Sequence, residues 1–384
     1  MRSSMRNRRS FRGVPALLAA FALASLLIAC GSTGGPGTSE DVPTARGGEA
    51  KGTLKISNWP LYIDEETIAD FEAESGIEVE YVEDVNDNDE FFGKVQPLLS
   101  QGNSGGRSIV VVSDWMSKKM YDLGYLQNLD PSELTTVDRN MLPSLKNPSF
   151  DPERSYTVPW QSGMTGLVVR KDLASDIRSI NDLFDPEYGG RVTMLREMRD
   201  TVPVVMMADG VNPSDATKQD WLDAIDKVGS AVEEGQVRRF TGNDYVQDLG
   251  KGDVVAAIGW SGDAIQAQAD NENIDYVQPE QGCLLWSDNM SIPVGAPNAP
   301  AAYAFMNYVY EPTNMAQIVE WVNYMSPVSG VKPILEKQDP ALAKSELIFP
   351  PEQFTANCSS VDSPPGSPED VREVEQAWQS VLTG

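Results

Sequence analysis

The sequence predicts an α/β fold, and three observations carry that prediction. Short apolar runs of strand character alternate with capped helical segments, one run is apolar at every position, and the order is β-α-β-α-β from the first strand onward. Leu54 and Ile56 alternate in LKISNW, and Asp64-Glu65-Glu66 then caps a helix whose Ile68 and Phe71 lie three apart and which ends at Ser75-Gly76. IEVEY follows with Ile77, Val79 and Tyr81 in period two, and a second helix is expected over 89–100. Gly-rich QGNSGG then leads into Ile109-Val110-Val111-Val112, the composition of a parallel strand buried on both faces. Further strands are expected at TGLVVR and DVVAAIGW. Further helices are expected over 214–228, capped by Ser214 or Asp215, and around Ala302, Phe305, Met306 and Val309. The last helix opens at Ser367-Pro368-Glu369-Asp370 and aligns Val371, Val374, Trp378 and Val381. In such a sheet, ligands bind beyond the carboxyl ends of the strands.

Charge narrows the chemistry. The 384 residues hold 30 Lys and Arg against 57 Asp and Glu, a formal charge of −27, and no histidine. A chain this acidic is repelled by nucleic acid and anionic lipid. Without histidine it lacks Ser-His and Cys-His catalysis and imidazole metal ligands. At 41% hydrophobic residues, with 8 Trp and 11 Phe, it can bury a large core. At roughly 150 residues per domain, two domains or lobes are expected.

The N-terminus carries an address. Arg2, Arg6, Arg8, Arg9 and Arg12 precede an apolar run up to Ala29, short for a spanning helix and typical of a secretory signal. Leu27-Ile28-Ala29-Cys30 resembles a bacterial lipobox, which implies cleavage after residue 29 and a diacylglycerol on the Cys30 sulfur. Arg8-Arg9-Ser10-Phe11 resembles a twin-arginine motif with atypical flanks, so Sec and twin-arginine export both stay open. Residues 1–29 are thus read as a signal peptide and 30–51, rich in Gly, Ser, Thr and Pro, as a flexible tether. The acid-rich loop 83–90 lacks the Gly and Glu of an EF-hand counted from Asp84 and reads as a solvated helix N-terminus; no metal site is expected. Cys283 and Cys358, the two cysteines of the folded part, suit a disulfide outside the cytoplasm, with two buried thiols as the alternative.

LKISNWPLYIDEETIADFEAES (residues 54–75) resembles the opening of the polyamine-binding proteins of ABC importers, the spermidine and putrescine receptors. The likeness continues in order through VVVSDW, RSYTVPWQSGMTGLVVR, DLFDPEYGGRVTMLREMRD, IGWSGDA, LLWSDNMSIPVGAPN and VNYMSP, covering about residues 52–335. The resemblance implies a two-lobed periplasmic-binding-protein fold, type II-like, with a ligand cleft between lobes that close about a hinge. Lobe I would be 52–162 plus 287–332, and lobe II 163–286 plus 333–384. By motif it implies ligand-facing aromatics at Trp59, Tyr62, Trp115, Trp260, Trp286 and Tyr324, with polar partners at Ser113, Glu197, Asp200, Asp263 and Asp288. It further implies a monomeric receptor without cofactor, partnered by an ABC permease and its ATPase, and held at the membrane only through its lipid.

The chemistry agrees with the likeness. A polyamine is multiply cationic at neutral pH, so its methylenes need apolar cover and its ammonium groups need anions. Aromatic faces supply cover and cation–π attraction, and carboxylates supply charge-assisted hydrogen bonds. Each residue also has a plainer reading. Trp59, Tyr62, Trp260 and Trp286 would serve as core aromatics, Glu197 and Asp200 as partners of Arg196 and Arg199, and Asp263 as a helix cap. Asp288, expected at a strand end, is harder to explain that way. Pro60-Leu61, the order Glu197 before Asp200, and Cys358-Ser359-Ser360 in place of a glutamine depart from the family pattern. Spermidine is the expected ligand, since more than two carboxylates suit three ammonium groups, and putrescine is the variant. The rivals are a receptor for another solute such as a sugar, a glycosidase using Glu197 and Asp288, and a structural lipoprotein.

Overall fold

A computed structural model describes residues 42–361 and 363–384. The expected signal peptide, Cys30 and most of the tether lie outside the described residues. The described end of the stretch expected to be a tether is docked on the fold at Ala45. Asn128 accepts from the Ala45 N–H at 2.8 Å, Tyr303 Oη donates to the Ala45 carbonyl at 3.0 Å, and Ala45 is fully buried. Partners more than 80 residues away hold this stretch, and nothing in its own Gly-rich pattern could reveal them.

The strands are β1 (Thr53–Asn58), β2 (Glu78–Glu83), β3 (Ile109–Ser113), β4 (Val158–Arg170), β5 (Val192–Leu195), β6 (Val237–Thr241), β7 (Ala256–Trp260), β8 (Ile274–Val277), β9 (Cys283–Ser291) and β10 (Cys358–Ser359). They run in the order β2-β1-β3-β9-β4-β7-β5-β6, with β8 against β4 and β10 against β9. β2, β1 and β3 are mutually parallel, as are β7, β5 and β6. β9 and β4 run antiparallel to each other and to the block each adjoins. The sheet is therefore mixed, with two parallel blocks joined through two long shared strands. β3, read as a buried parallel strand, is parallel to β1 on one side only.

The helices follow from local chemistry. Asp64 accepts from the Thr67 N–H and Gly76 ends helix Glu65–Ser75 in the left-handed conformation. Asp87 caps helix Asn88–Leu99, while Asp84 pairs with Arg107 at 2.8 Å, so the acid-rich loop is used by the fold. The helix expected over 214–228 begins later, at Lys218, and runs to Glu233. Pro213–Asp215 forms a separate 3-10 turn, extended Ala216 breaks the run, and Thr217 with Asp220 makes the capping box. Helix Pro368–Thr383 starts as expected with a Ser367–Asp370 capping box and buries Val374 and Trp378. Trp378 donates to the Arg196 carbonyl at 2.9 Å, so this C-terminal helix braces the turn after β5. Cys283 and Cys358 are disulfide-bonded, tying β10 to the start of β9. Among the described residues no helix is long and apolar enough to cross a membrane.

Candidate functional site

The carboxyl ends of the two parallel blocks converge on one cleft. β1 delivers Trp59 and Tyr62, β3 ends at Ser113 and starts the helix carrying Trp115, and Asn88 follows β2. From the other block, β7 ends at Trp260 with Asp263 in the helix behind it, and Glu197 and Asp200 follow β5. Trp286 and Asp288 come from β9, and Tyr324 from the turn after helix Pro312–Val322. All eleven residues singled out from sequence line this cleft, which holds about 750 Å³ free of protein atoms, mouth included.

The rings form a cage. Trp59 meets Trp260 edge-on at 6.2 Å between centroids, Tyr62 meets Tyr324 at 5.3 Å, and Trp286 lies 5.5 Å from Tyr324. Two glycines let the rings sit this close. A Cβ at Gly163, opposite Trp286 in register, would lie 2.4 Å from that indole, and one at Gly262 would lie 2.3 Å from the Tyr324 ring. Trp115 is different. The Arg199 guanidinium stacks on its ring at 3.6 Å, so the protein's own cation already covers one face.

Three hydrogen-bond networks hold the carboxylates. Asp288 accepts from Tyr62 Oη at 3.0 Å and Ser113 Oγ at 2.9 Å. It sits in the middle of β9 opposite Ser113, not at a strand end as expected, because β9 extends through Ser291. Asp200 accepts from Trp260 Nε1 at 3.1 Å and from Thr165 Oγ1, and Thr165 in turn accepts from Trp286 Nε1 at 3.0 Å. Asp263 accepts from Tyr324 Oη at 2.8 Å and from Tyr245 Oη and Asn243 Nδ2 at 3.0 Å each. It stands in the first turn of helix Ser261–Asp270, but its oxygens serve the cleft and Trp260 holds the cap position. Glu197 accepts from Asn88 Nδ2 at 2.9 Å through Oε2, while its buried Oε1 has no partner among the described residues.

Among the described residues none of these four carboxylates is ion-paired, although each is at least nine-tenths buried. Arg199 pairs with Glu375 at 3.0 Å instead of with Glu197 or Asp200. Burial pushes Asp288 up to about 7, against the opposing pull of the Ser113 and Tyr62 hydrogen bonds. Burial likewise raises Asp200 and Asp263 to about 6. Glu197 is raised well above its ordinary value, first by burial and then by Asp87, Asp89 and Asp200. Burial also holds the Tyr62, Tyr245 and Tyr324 phenols protonated, so they serve as donors. An unpaired buried charge costs several kcal/mol, and the raised carboxyls express that cost. A cation entering the cleft would relieve it directly.

Several lining residues carried no signal of their own in the sequence. Asn88, Asn243, Arg199, Leu284, Leu285 and Val361 also face the cleft, and Thr165 and Tyr245 support it from behind. Thr165 lies inside a quoted family-like stretch. So do Arg199, in REMRD, and Leu284 and Leu285, in LLWSD, whereas Asn88, Asn243, Tyr245 and Val361 lie outside every quoted stretch and no spacing marks them.

Two parallel blocks facing a cleft of rings and buried acids, joined by shared strands, define a two-lobed solute receptor. The chain belongs to the family of bacterial extracellular solute-binding proteins, whose model matches residues 66–347. The spermidine/putrescine-binding periplasmic protein of Escherichia coli (strain K12) is 26% identical over 308 residues, 79% of this chain and 85% of that one. The putrescine-binding periplasmic protein PotF of the same organism is 29% identical over 357 residues, 86% of this chain and 92% of that one. A solved chain from Listeria monocytogenes, named for a spermidine/putrescine ABC transporter, matches with a TM-score of 0.76 at 27% identity. It covers 86% of this chain and 98% of its own.

Proposed function

We propose that this chain is an extracytoplasmic receptor that captures a polyamine, spermidine by preference and putrescine as the variant, for an ABC importer. The single observation that carries the reading is the set of four buried, un-ion-paired carboxylates inside an aromatic cage. Ammonium groups would pair with Asp288, Asp263, Asp200 and Glu197, while Trp59, Tyr62, Trp260, Trp286 and Tyr324 cover the methylenes. A neutral sugar would leave those acids without counter-charge. The preference for spermidine rests on there being more carboxylates than a diamine can engage.

In this reading lobe I is 52–162 plus 287–332 and lobe II is 163–286 plus 333–384. The lobes close over the ligand, and the monomeric receptor delivers it to a permease driven by an ATPase. A diacylglyceryl Cys30 would anchor it to the outer face of the membrane. Mass spectrometry of small molecules released by acid from the purified protein tests the assignment. A polyamine at near-stoichiometric yield supports it, and a sugar with no amine contradicts it.

A further inference from the structure

The geometry points to Asn88 as a positioning residue that aims Glu197 at the ligand and ties it to Asp288. The inference rests on the polyamine reading and names a determinant of that same site.

Asn88 is buried at the first position of helix Asn88–Leu99, and every polar group of its amide is used. Nδ2 donates to Glu197 Oε2 at 2.9 Å and to Ser113 Oγ at 3.0 Å, and Oδ1 accepts from the Ser113 N–H at 3.2 Å. Because Ser113 Oγ accepts from the amide, its own hydrogen goes to Asp288 Oδ1 at 2.9 Å. The result is a connected chain, Glu197–Asn88–Ser113–Asp288–Tyr62, in which Asn88 donates toward both carboxylates and Tyr62 donates to Asp288 from the far end. β2, which leads to Asn88, stands at one edge of the strand order, and β5, which leads to Glu197, is second from the other edge. The Asn88–Glu197 bond therefore crosses the cleft.

The four carboxylates differ in one respect. Both oxygens of Asp200, Asp263 and Asp288 already have protein donors. Among the described residues Glu197 has donors on Oε2 alone, from the side chain of Asn88 and, at 3.4 Å, from the Asn88 backbone N–H, which leaves Oε1 buried and without a donor. A glutamate side chain has three rotatable torsions, and the Asn88 side-chain bond holds this cleft-lining glutamate in a rotamer that leaves Oε1 unengaged. Without that bond, Glu197 would be free to turn away, and an ammonium group would lose the one acceptor that has no competing donor.

The test is a double-mutant cycle on the purified protein, with spermidine and putrescine titrated into wild type, Asn88→Ala, Glu197→Gln and the double variant, alongside thermal unfolding without ligand. Asn88→Ala and Glu197→Gln are each expected to weaken the better-binding amine about tenfold or more, the scale of one lost hydrogen bond to a charged group. The double variant is expected to be no weaker than Glu197→Gln alone. Asn88→Leu, of similar shape but without polar groups, should reproduce the loss and serves if the alanine variant does not fold. Additive losses, or an Asn88 variant that binds as wild type does, would overturn the inference while leaving the receptor reading intact. Wild type that binds neither amine would show, before any variant is compared, that the receptor reading itself fails and takes this inference with it.

Discussion

Tyr62 and Asp288 stand 226 residues apart in the chain and meet in a 3.0 Å hydrogen bond in the lining of the cleft. Ser113 completes the clamp from its register position opposite Asp288. An acid buried to this depth with two neutral donors and no cation is half-prepared for charge. Binding would supply the missing partner.

Asp288→Asn is therefore expected to weaken polyamine binding by about 2–5 kcal/mol, the scale for truncating a buried charge pair. The change keeps the shape, so the melting temperature of the free protein should hold or rise as a buried charge is removed. Titration calorimetry beside a thermal scan checks both, and unchanged affinity would remove Asp288 from the ligand's partners.

The raised carboxyls also set a pH dependence. Asp288 at about 7 and Asp200 and Asp263 at about 6 must lose protons for a cation to pair with them. Affinity is expected to fall as pH drops from about 8 to about 5, and binding near pH 6.5 should release protons, read as a heat that varies with buffer ionisation enthalpy. For the free protein the sign is opposite. Unfolded Asp titrates near 3.9, so the native state holds extra protons between about 4 and 7. The stability these groups contribute is full below that window and lost as pH rises through it. Added polyamine should thus raise the melting temperature more at pH 8 than at pH 5, and equal shifts would contradict the linkage.

Gly262→Ala tests the aromatic cage. Its Cβ would lie 2.3 Å from the Tyr324 ring, forcing the ring off Asp263. Affinity should drop by about tenfold or more, consistent with loss of a charge-assisted bond. Gly93→Ala is the control, since a Cβ there meets nothing within 4 Å inside helix Asn88–Leu99. It should bind normally and gain about 0.5–1 kcal/mol of stability. Equal binding by both variants would show that the Tyr324 position is not needed.

The disulfide should matter to both stability and site. Cys283 and Cys358 close a loop with a sequence separation of 75, for which chain entropy gives about 4 kcal/mol. The bridge also holds Val361 beside Leu284, Leu285 and Trp286 in the cleft wall. The paired Cys283→Ala and Cys358→Ala variant is expected to melt earlier and to bind more weakly. A denaturant midpoint and a titration each check one half of that statement.

The contrast between Asp288 and Asn88 shows what could be read in advance. The α/β order, the first and last helices and the acids and rings of the cleft were visible as caps, period-two runs and ordered motifs. Even the Trp-x-Asp pair was legible as an oddly placed charge, although its position within β9 was not, since strand ends depend on partners such as β3 and β4. Asn88 looked like one more polar residue at a helix start. Its meaning comes from Glu197, 109 residues away, and no local pattern encodes a hydrogen bond across a cleft. The docking of Ala45 and the delayed start of helix Lys218–Glu233 were hidden for related reasons, one a distant backbone partner and the other a competing turn at Pro213.

Calorimetric titration with spermidine, spermine, putrescine, cadaverine and a panel of sugars, at two salt concentrations, tests the central claim most directly. Saturable one-to-one amine binding that ranks the chain lengths, with no sugar heat, is the expected result. Tight binding of a sugar by protein that ignores every amine, folded and freed of carried-over ligand, would contradict it.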